Sequence, residues 1–277
     1  MTAIPAAGKS TLEEGRQAYV ALDSRDGPHV TPDLYALVGN EVWLAVASTT
    51  LKARLAATQP AASVVVSVPG RSVLLQGRLD VIDPRSWRRS VEHLVGLSHI
   101  LRALGKYTLR NAPDLFSFLG DTVTGKLGRG FPPFRLALRF TVERGVIVEG
   151  GQVTERFGSW PNQPNPTVAN SVAPVGGEPA VVAFRGGRAA PCRWYEDDHC
   201  AFVAPDVLAL LDLDPSFPVG VVVDEYTAAG PAAKEGTLKR GTAHLATDPG
   251  RIDCDLEREV TWSGVDITSA PVRPIPA

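Results

Sequence analysis

The chain repeats itself, and that limits what it can fold into more than any other feature of the sequence. The stretch VALDSRDGPHVTPDLY at 20–35 resembles VVAFRGGRAAPCRWY at 181–195, with Pro32 opposite Pro191. Val64-Val65-Val66 then meets Val221-Val222-Val223, and Gln76-Gly77-Arg78 meets Arg240-Gly241-Thr242. Three anchors in one order, at nearly constant spacing, favour duplication of one β-rich unit over coincidence between two unrelated β domains. The likeness fades after about residue 247, and nothing in the second copy answers the segment near Trp87.

The unit itself reads as short strands joined by tight turns. Gln17–Asp23, His29–Val38 and Glu41–Ala47 are rich in β-branched and aromatic residues, and Ser24-Arg25-Asp26-Gly27 and Gly39-Asn40 separate them. This predicts an antiparallel meander. Pro32 cannot donate to a ladder and is expected at an edge or a bulge. Leu51–Thr58 follows hydroxyl residues suited to N-capping and ends before Pro60, so it predicts a short helix. Ala62–Val68 and Ser72–Ile82 are further strands, and Arg135–Val142 with Val146–Glu149 reads as a closing hairpin around Arg144-Gly145. Ser10-Thr11-Leu12-Glu13 reads as a capping box at the start of a first helix. Asp83-Pro84 opens a longer helix carrying Trp87, Val91, Leu94, Leu101 and Leu104 at helical spacing. These signals divide the chain into a first domain at 1–150, a Pro/Gly-rich linker at 151–178 and a second, degenerate domain at 179–277.

Composition narrows the function classes. Of 277 residues, 44% are hydrophobic and 21% charged, as in a soluble globular protein. A net charge of −2 gives no long-range attraction to nucleic acid. No apolar run approaches the ~20 residues that span a bilayer, and no secretory signal precedes the first strand, so a cytoplasmic protein without nucleic-acid or membrane partners is expected. Cys192, Cys200 and Cys254 lack C-x-x-C spacing, which argues against both a disulfide framework and a zinc site. Gly8-Lys9-Ser10-Thr11 ends like a P-loop but has Ala3 at the first glycine position and no strand before it. Gly125–Gly130 is glycine-rich in the wrong order for a dinucleotide fingerprint and reads as a mobile loop, or as a lid over a substrate. His93 and His99 do not share a helix face as i,i+4 ligands would.

An ordered set of short motifs resembles a known family. Asp26-Gly27-Pro28-His29-Val30-Thr31-Pro32, then Val42-Trp43-Leu44, then Ser48–Leu55 with Lys52, then VVVSV and VLLQGRLDVI, is similar to the pyridoxamine 5′-phosphate oxidase-like split-barrel superfamily. That superfamily includes flavin- and deazaflavin-dependent oxidoreductases. The likeness covers roughly residues 10–150 and, more weakly, 177–247. It implies a mainly β chain with a few helices, built as two tandem six-stranded antiparallel split β-barrels, a homodimer fused into a pseudo-dimer. A monomer or a further homodimer would both be compatible. It also implies an FMN cofactor, or alternatively the deazaflavin coenzyme, bound between the halves and acting on a small-molecule substrate. A non-catalytic or haem-binding barrel is the remaining alternative.

The resemblance places the cofactor phosphate at Ser48, Thr49, Thr50 and Lys52, and ring contacts at Thr31 and Ser72. The chemistry agrees. A helix N-terminus presents free N–H groups and partial positive charge, where a lysine is unfavourable unless an anion offsets it. The second copy has Asp206 in the corresponding first turn, so one phosphate site per chain is expected, with Arg193, Trp194, Lys239 and Arg240 as candidates for the opposite wall. His29-Val30 stands where the vitamin-synthesising oxidases have an arginine, and Ser72 where they have a glutamine, so that particular activity is not implied. No side chain stands out as a catalytic acid or base.

Overall fold

The computed structural model describes residues 2–47, 50–82, 93–113, 135–161, 176–225, 235–263 and 266–271. Its strands form two seven-stranded antiparallel sheets with the same connectivity. In the first, β1 (Gln17–Ser24), β2 (Gly27–Val38), β3 (Glu41–Ala47), β4 (Ala61–Val68), β5 (Arg71–Ile82) and β6 (Arg135–Glu149) run in the order β3-β2-β1-β4-β5-β6, and β3 pairs with β6 to close a six-stranded barrel. Strand β7 (Gln152–Gly158) adds to the outer side of β6. The second sheet repeats this with β8 (Glu178–Phe184), β9 (Arg188–Tyr195), β10 (Cys200–Val203), β11 (Ser216–Glu225), β12 (Glu235–Leu245) and β13 (Arg251–Ser263), closed by β10–β13. Strand β14 (Asp266–Pro271) is its extra strand.

Two helices stand at matching places in the two copies. Helix α2 (Leu51–Thr58) follows β3, and α4 (Pro205–Leu211) follows β10. Helix α1 (Ala6–Glu14) precedes the first barrel, and α3 (His93–Arg110) lies between β5 and β6. Among the described residues the second copy has no counterpart of α3, as the sequence indicated; a five-residue link joins β12 to β13. The α3 end is pinned to the barrel: the Arg110 guanidinium lies 4.7 Å from the Tyr35 ring centroid and donates to Leu12 O at 2.8 Å.

Alternation along the strands separates two apolar faces. Val20, Val64 and Leu75 stand side by side on β1, β4 and β5 and fill the first barrel. One residue along, Tyr19, Val65, Leu74 and Val146 form a row across β1, β4, β5 and β6, and point the other way. That row packs, with Ala21, Val30 and Val148, into the core of the second barrel, against residues that include Val181, Ala183 and Val222. Strand β2 contacts β8 and β11, and β4 contacts β9. Asp23 fastens the seam: its carboxylate accepts from Arg185 at 3.1 Å and from the Gly186 N–H at 3.1 Å.

The repeat extends to irregular features. Both β5 and β12 carry a bulge, between Gln76 and Gly77 and between Arg240 and Gly241. At each, a Cβ on the glycine would fall 2.0 Å from a carbonyl oxygen of the neighbouring strand, that of Thr141 or Asp255. Only glycine allows that approach. Pro32 and Pro191 also correspond: each lies where β2 or β9 pairs on one side alone, with β1 or β8.

Four expectations are corrected. Arg135–Glu149 is one strand, not a hairpin, because Arg144 and Gly145 stay paired with Gln76 and Leu75; the turn comes at Gly150-Gly151, both at positive φ. The stretch read as a linker contributes β7 over Gln152–Gly158, whose partner strand was hidden by that misplaced turn. Helix α1 starts at Ala6 after Pro5, and Thr11 lies within it, its hydroxyl donating back to Ala7 O at 3.0 Å, so no capping box forms. The likeness between copies does not end near 247, since β13 and β14 reproduce β6 and β7 with little shared sequence. The expected helix start at Asp83-Pro84, Trp87 and Val91, and the Gly125–Gly130 loop, lie outside the described residues.

Gly77→Ala and Gly241→Ala should each lower unfolding free energy by about 1–3 kcal/mol, the usual range for overpacking. Urea denaturation would measure this, and the two losses should be similar if the bulges are equivalent.

Candidate functional site

Three side chains alternate along the half of β2 that β3 leaves uncovered: His29, Thr31 and Asp33. With a period of two they share one face. The N-terminal turn of α2 stands beside them. Thr50 caps that helix, its hydroxyl accepting from the Ala53 N–H at 3.3 Å. Lys52, in the first turn, is 5% exposed, and its amine forms an ion pair with Asp33. From the second barrel, Arg240 reaches across the seam and places Nη2 3.1 Å from His29 Nδ1. A guanidinium can only donate, so Nδ1 is an unprotonated acceptor.

The electrostatics follow from this crowding. Burial, then Lys52 and Arg240, hold the His29 imidazole down to about 3. Burial pulls the Lys52 amine down to about 7. Two basic groups from two halves of the chain thus converge, with Asp33 as the acidic group paired to Lys52. Among the described residues, Thr31 Oγ1 and Arg240 Nε are buried without a hydrogen-bond partner. Buried polar groups rarely stay unpaired in a finished site. The arrangement is short of acceptor atoms, which is the condition an anionic ligand relieves.

The expected site residues therefore fall into three groups. Thr50 and Lys52 stand at the N-terminus of α2, and Thr31 shares a strand face with Asp33, which pairs with Lys52, and with His29, which Arg240 reaches from the far side. Ser48 and Thr49 lie outside the described residues. Ser72 lies elsewhere: its hydroxyl donates to Ser67 Oγ at 2.9 Å, and both serines line a groove of about 1080 Å³ between the barrels. Arg193 lines that same groove. Trp194 is buried in the second barrel's core and donates to Glu196 at 2.5 Å. Lys239 pairs with Glu196 at 2.9 Å and Glu259 at 3.3 Å. His29 and Asp33 were missed as site residues, although their two-residue spacing from Thr31 was readable once Pro32 marked an uncovered strand. No group of three or more potential metal-ligating side chains occurs among the described residues. No helix among them is long and apolar enough to cross a membrane.

Comparison with known proteins finds likeness to the first copy of the chain. Residues 7–113, from α1 through α3, match the family model described as pyridoxamine 5′-phosphate oxidase. A solved FAD-binding protein from Mesorhizobium loti is similar at 18% identity over 57% of this chain and 98% of its own, with a TM-score of 0.36. A conserved hypothetical protein from Mycobacterium tuberculosis is similar at 19% identity over 53% of this chain and 86% of its own, with a TM-score of 0.34. An F420 reductase is similar at 18% identity over 51% of this chain and 98% of its own, with a TM-score of 0.34. No curated protein matches the chain.

The charge arrangement fixes the sign of the pH response. Between pH 6.5 and about 3 the unfolded chain binds a proton at His29 that the folded chain does not, so stability falls as pH falls through that window. Between about 7 and 10.5 the unfolded chain likewise keeps a proton that Lys52 has lost in the fold, so this group adds stability as pH rises. Each group contributes up to about 1.4 kcal/mol per pH unit within its window. Urea melts at pH 7, 5 and 4 should show the acid loss, and His29→Gln should flatten it.

Proposed function

Because residues 7–113 match the pyridoxamine 5′-phosphate oxidase family, we propose that the chain is a flavin-type oxidoreductase that holds FMN, or the deazaflavin coenzyme, between its two barrels. The observation that carries this reading is the convergence of Lys52 and Arg240 on His29, beside two buried polar atoms, Thr31 Oγ1 and Arg240 Nε, that lack partners among the described residues. The donors present fit a phosphate at the N-terminus of α2. Lys52 supplies the charge, Thr31 a hydroxyl, and the helix its free N–H groups. Arg240 closes the site from the second barrel, so both copies are needed to complete it.

The bound flavin-type group would supply the electron transfer to or from a small organic substrate, and the protein binds and orients it. Asp33 tunes the site. Its carboxylate keeps Lys52 in place while the site is built, and competes with any phosphate that approaches the amine. The neutral His29 presents an acceptor to Arg240 and holds that guanidinium against the first barrel. Ser72, expected as a ring contact, hydrogen-bonds Ser67 and lines the groove between the barrels instead of joining this cluster. With no acid or base placed at a reacting atom, the proposed role of these side chains is binding and positioning.

The visible spectrum of the purified protein, with identification of the molecule released on denaturation, tests the reading directly. A flavin or deazaflavin spectrum supports it; a Soret band, or a colourless protein that takes up neither cofactor, overturns it. Lys52→Ala should weaken FMN binding by roughly 1.5–3 kcal/mol, the worth of a hydrogen bond to a charged group. Asp33→Asn should tighten it, because it removes the competing carboxylate. Equal FMN affinity in the parent and in Lys52→Glu would show that the phosphate lies elsewhere.

A further inference from the structure

The groove that takes Ser72 and Arg193 is the internal counterpart of the Lys52 site. It is walled by β9, β10 and the residue before α4 from the second barrel, and by the β4–β5 turn from the first. The copies correspond strand for strand, so the residues that replace the phosphate-binding set can be read off. Ala190 stands for Thr31, Cys192 for Asp33, and Asp206, second residue of α4, for Lys52, second residue of α2. The hydroxyl and the amine are gone, and a carboxylate stands at the helix where a phosphate would rest.

Cationic groups enter this groove from other places. Arg16 and Arg71 come from the first barrel and Arg193 from the second, and the one carboxylate among the described lining residues is Glu14, which pairs with Arg71 at 3.0 Å. Among the described residues, Arg71 Nε is buried without a hydrogen-bond partner. The walls between these arginines are apolar and include Tyr19, Val148, Ala180 and Phe202. Cys192 adds to the lining as a neutral thiol, its pKa pushed far up by burial and then by Cys254. A groove of about 1080 Å³ is large enough for a drug-sized molecule. Guanidinium forks match planar, two-oxygen anions better than point charges.

We propose that this groove is a second ligand site, independent of the Lys52 site, that takes a small organic anion: a flat apolar body carrying one carboxylate or sulfonate. The body lies between the barrels, and the anionic group meets Arg193 and Arg71 at the mouth. The duplicated fold thus keeps two crevices and gives them different chemistry.

The test uses the full chain and 8-anilinonaphthalene-1-sulfonate, which has this shape and charge. Fluorescence titration and calorimetry should give saturable binding of one dye per chain. Arg193→Ala and Arg71→Ala should each weaken it about tenfold; Arg193 is exposed and Arg71 half-buried, and neither belongs to the hydrophobic core. Ser67→Trp, which fills the groove without altering its charge, should abolish it. FMN at high concentration should not displace the dye, whether or not FMN binds at Lys52. Dye binding that does not saturate, that ignores both arginine substitutions and the Ser67→Trp block, or that FMN displaces would overturn the proposal.

Discussion

The molecule depends on a row of side chains that one barrel alone would leave in water. Val65, Leu74 and Val146, with the half-buried Tyr19, project from the outer face of the first barrel, and with Ala21 and Val30 they pack into the core of the second barrel. Full burial of a valine or leucine is worth about 1.5–3 kcal/mol, so separating the halves would expose several such contributions at once. Small residues face this row from the other side: Ala183, Ala189 and Gly220, where a Cβ would come within 3.1 Å of Pro28 O. The seam is therefore close-packed backbone against backbone. That closeness is what lets Arg240 of one copy reach His29 of the other.

Much of this was legible in the sequence, for identifiable reasons. Strands β1, β3, β4 and β5 announced themselves because turns such as Ser24–Gly27 and Pro69–Arg71 bracket β-branched runs, and period-2 burial needs no tertiary information. Pro32 was readable because a missing N–H restricts where a strand can pair. The turn at Arg144-Gly145 was misread because a charged residue beside a glycine looks like a hairpin tip. In the fold, Gly145 is glycine for another reason: a Cβ there would meet the Phe157 ring at 2.4 Å, a contact with β7 that no local pattern reveals. The capping box failed similarly, since Pro5 sets the helix start upstream of it.

The site was half legible. Lys52 beside a helix N-terminus is a local signal, and Thr31 came with the family resemblance. Asp33 was not found, because a carboxylate in a strand is ordinarily a solvated one. Its partner lies nineteen positions away and meets it only once α2 has docked on the barrel. Arg240 could be named as a candidate but not chosen over Arg193, Trp194 or Lys239. The choice among those four came only with the fold, in which Arg240 Nη2 lies 3.1 Å from His29 Nδ1 across the seam.

Covalent fusion has a consequence for how such a protein can change over time. In a pair of identical subunits every substitution appears twice, so an alteration that improves one crevice is imposed on its twin. Here Cys192 and Asp206 could arise without touching Asp33 and Lys52. Selection can therefore act on each crevice separately, and one may be refashioned for new cargo while the other keeps its inherited task.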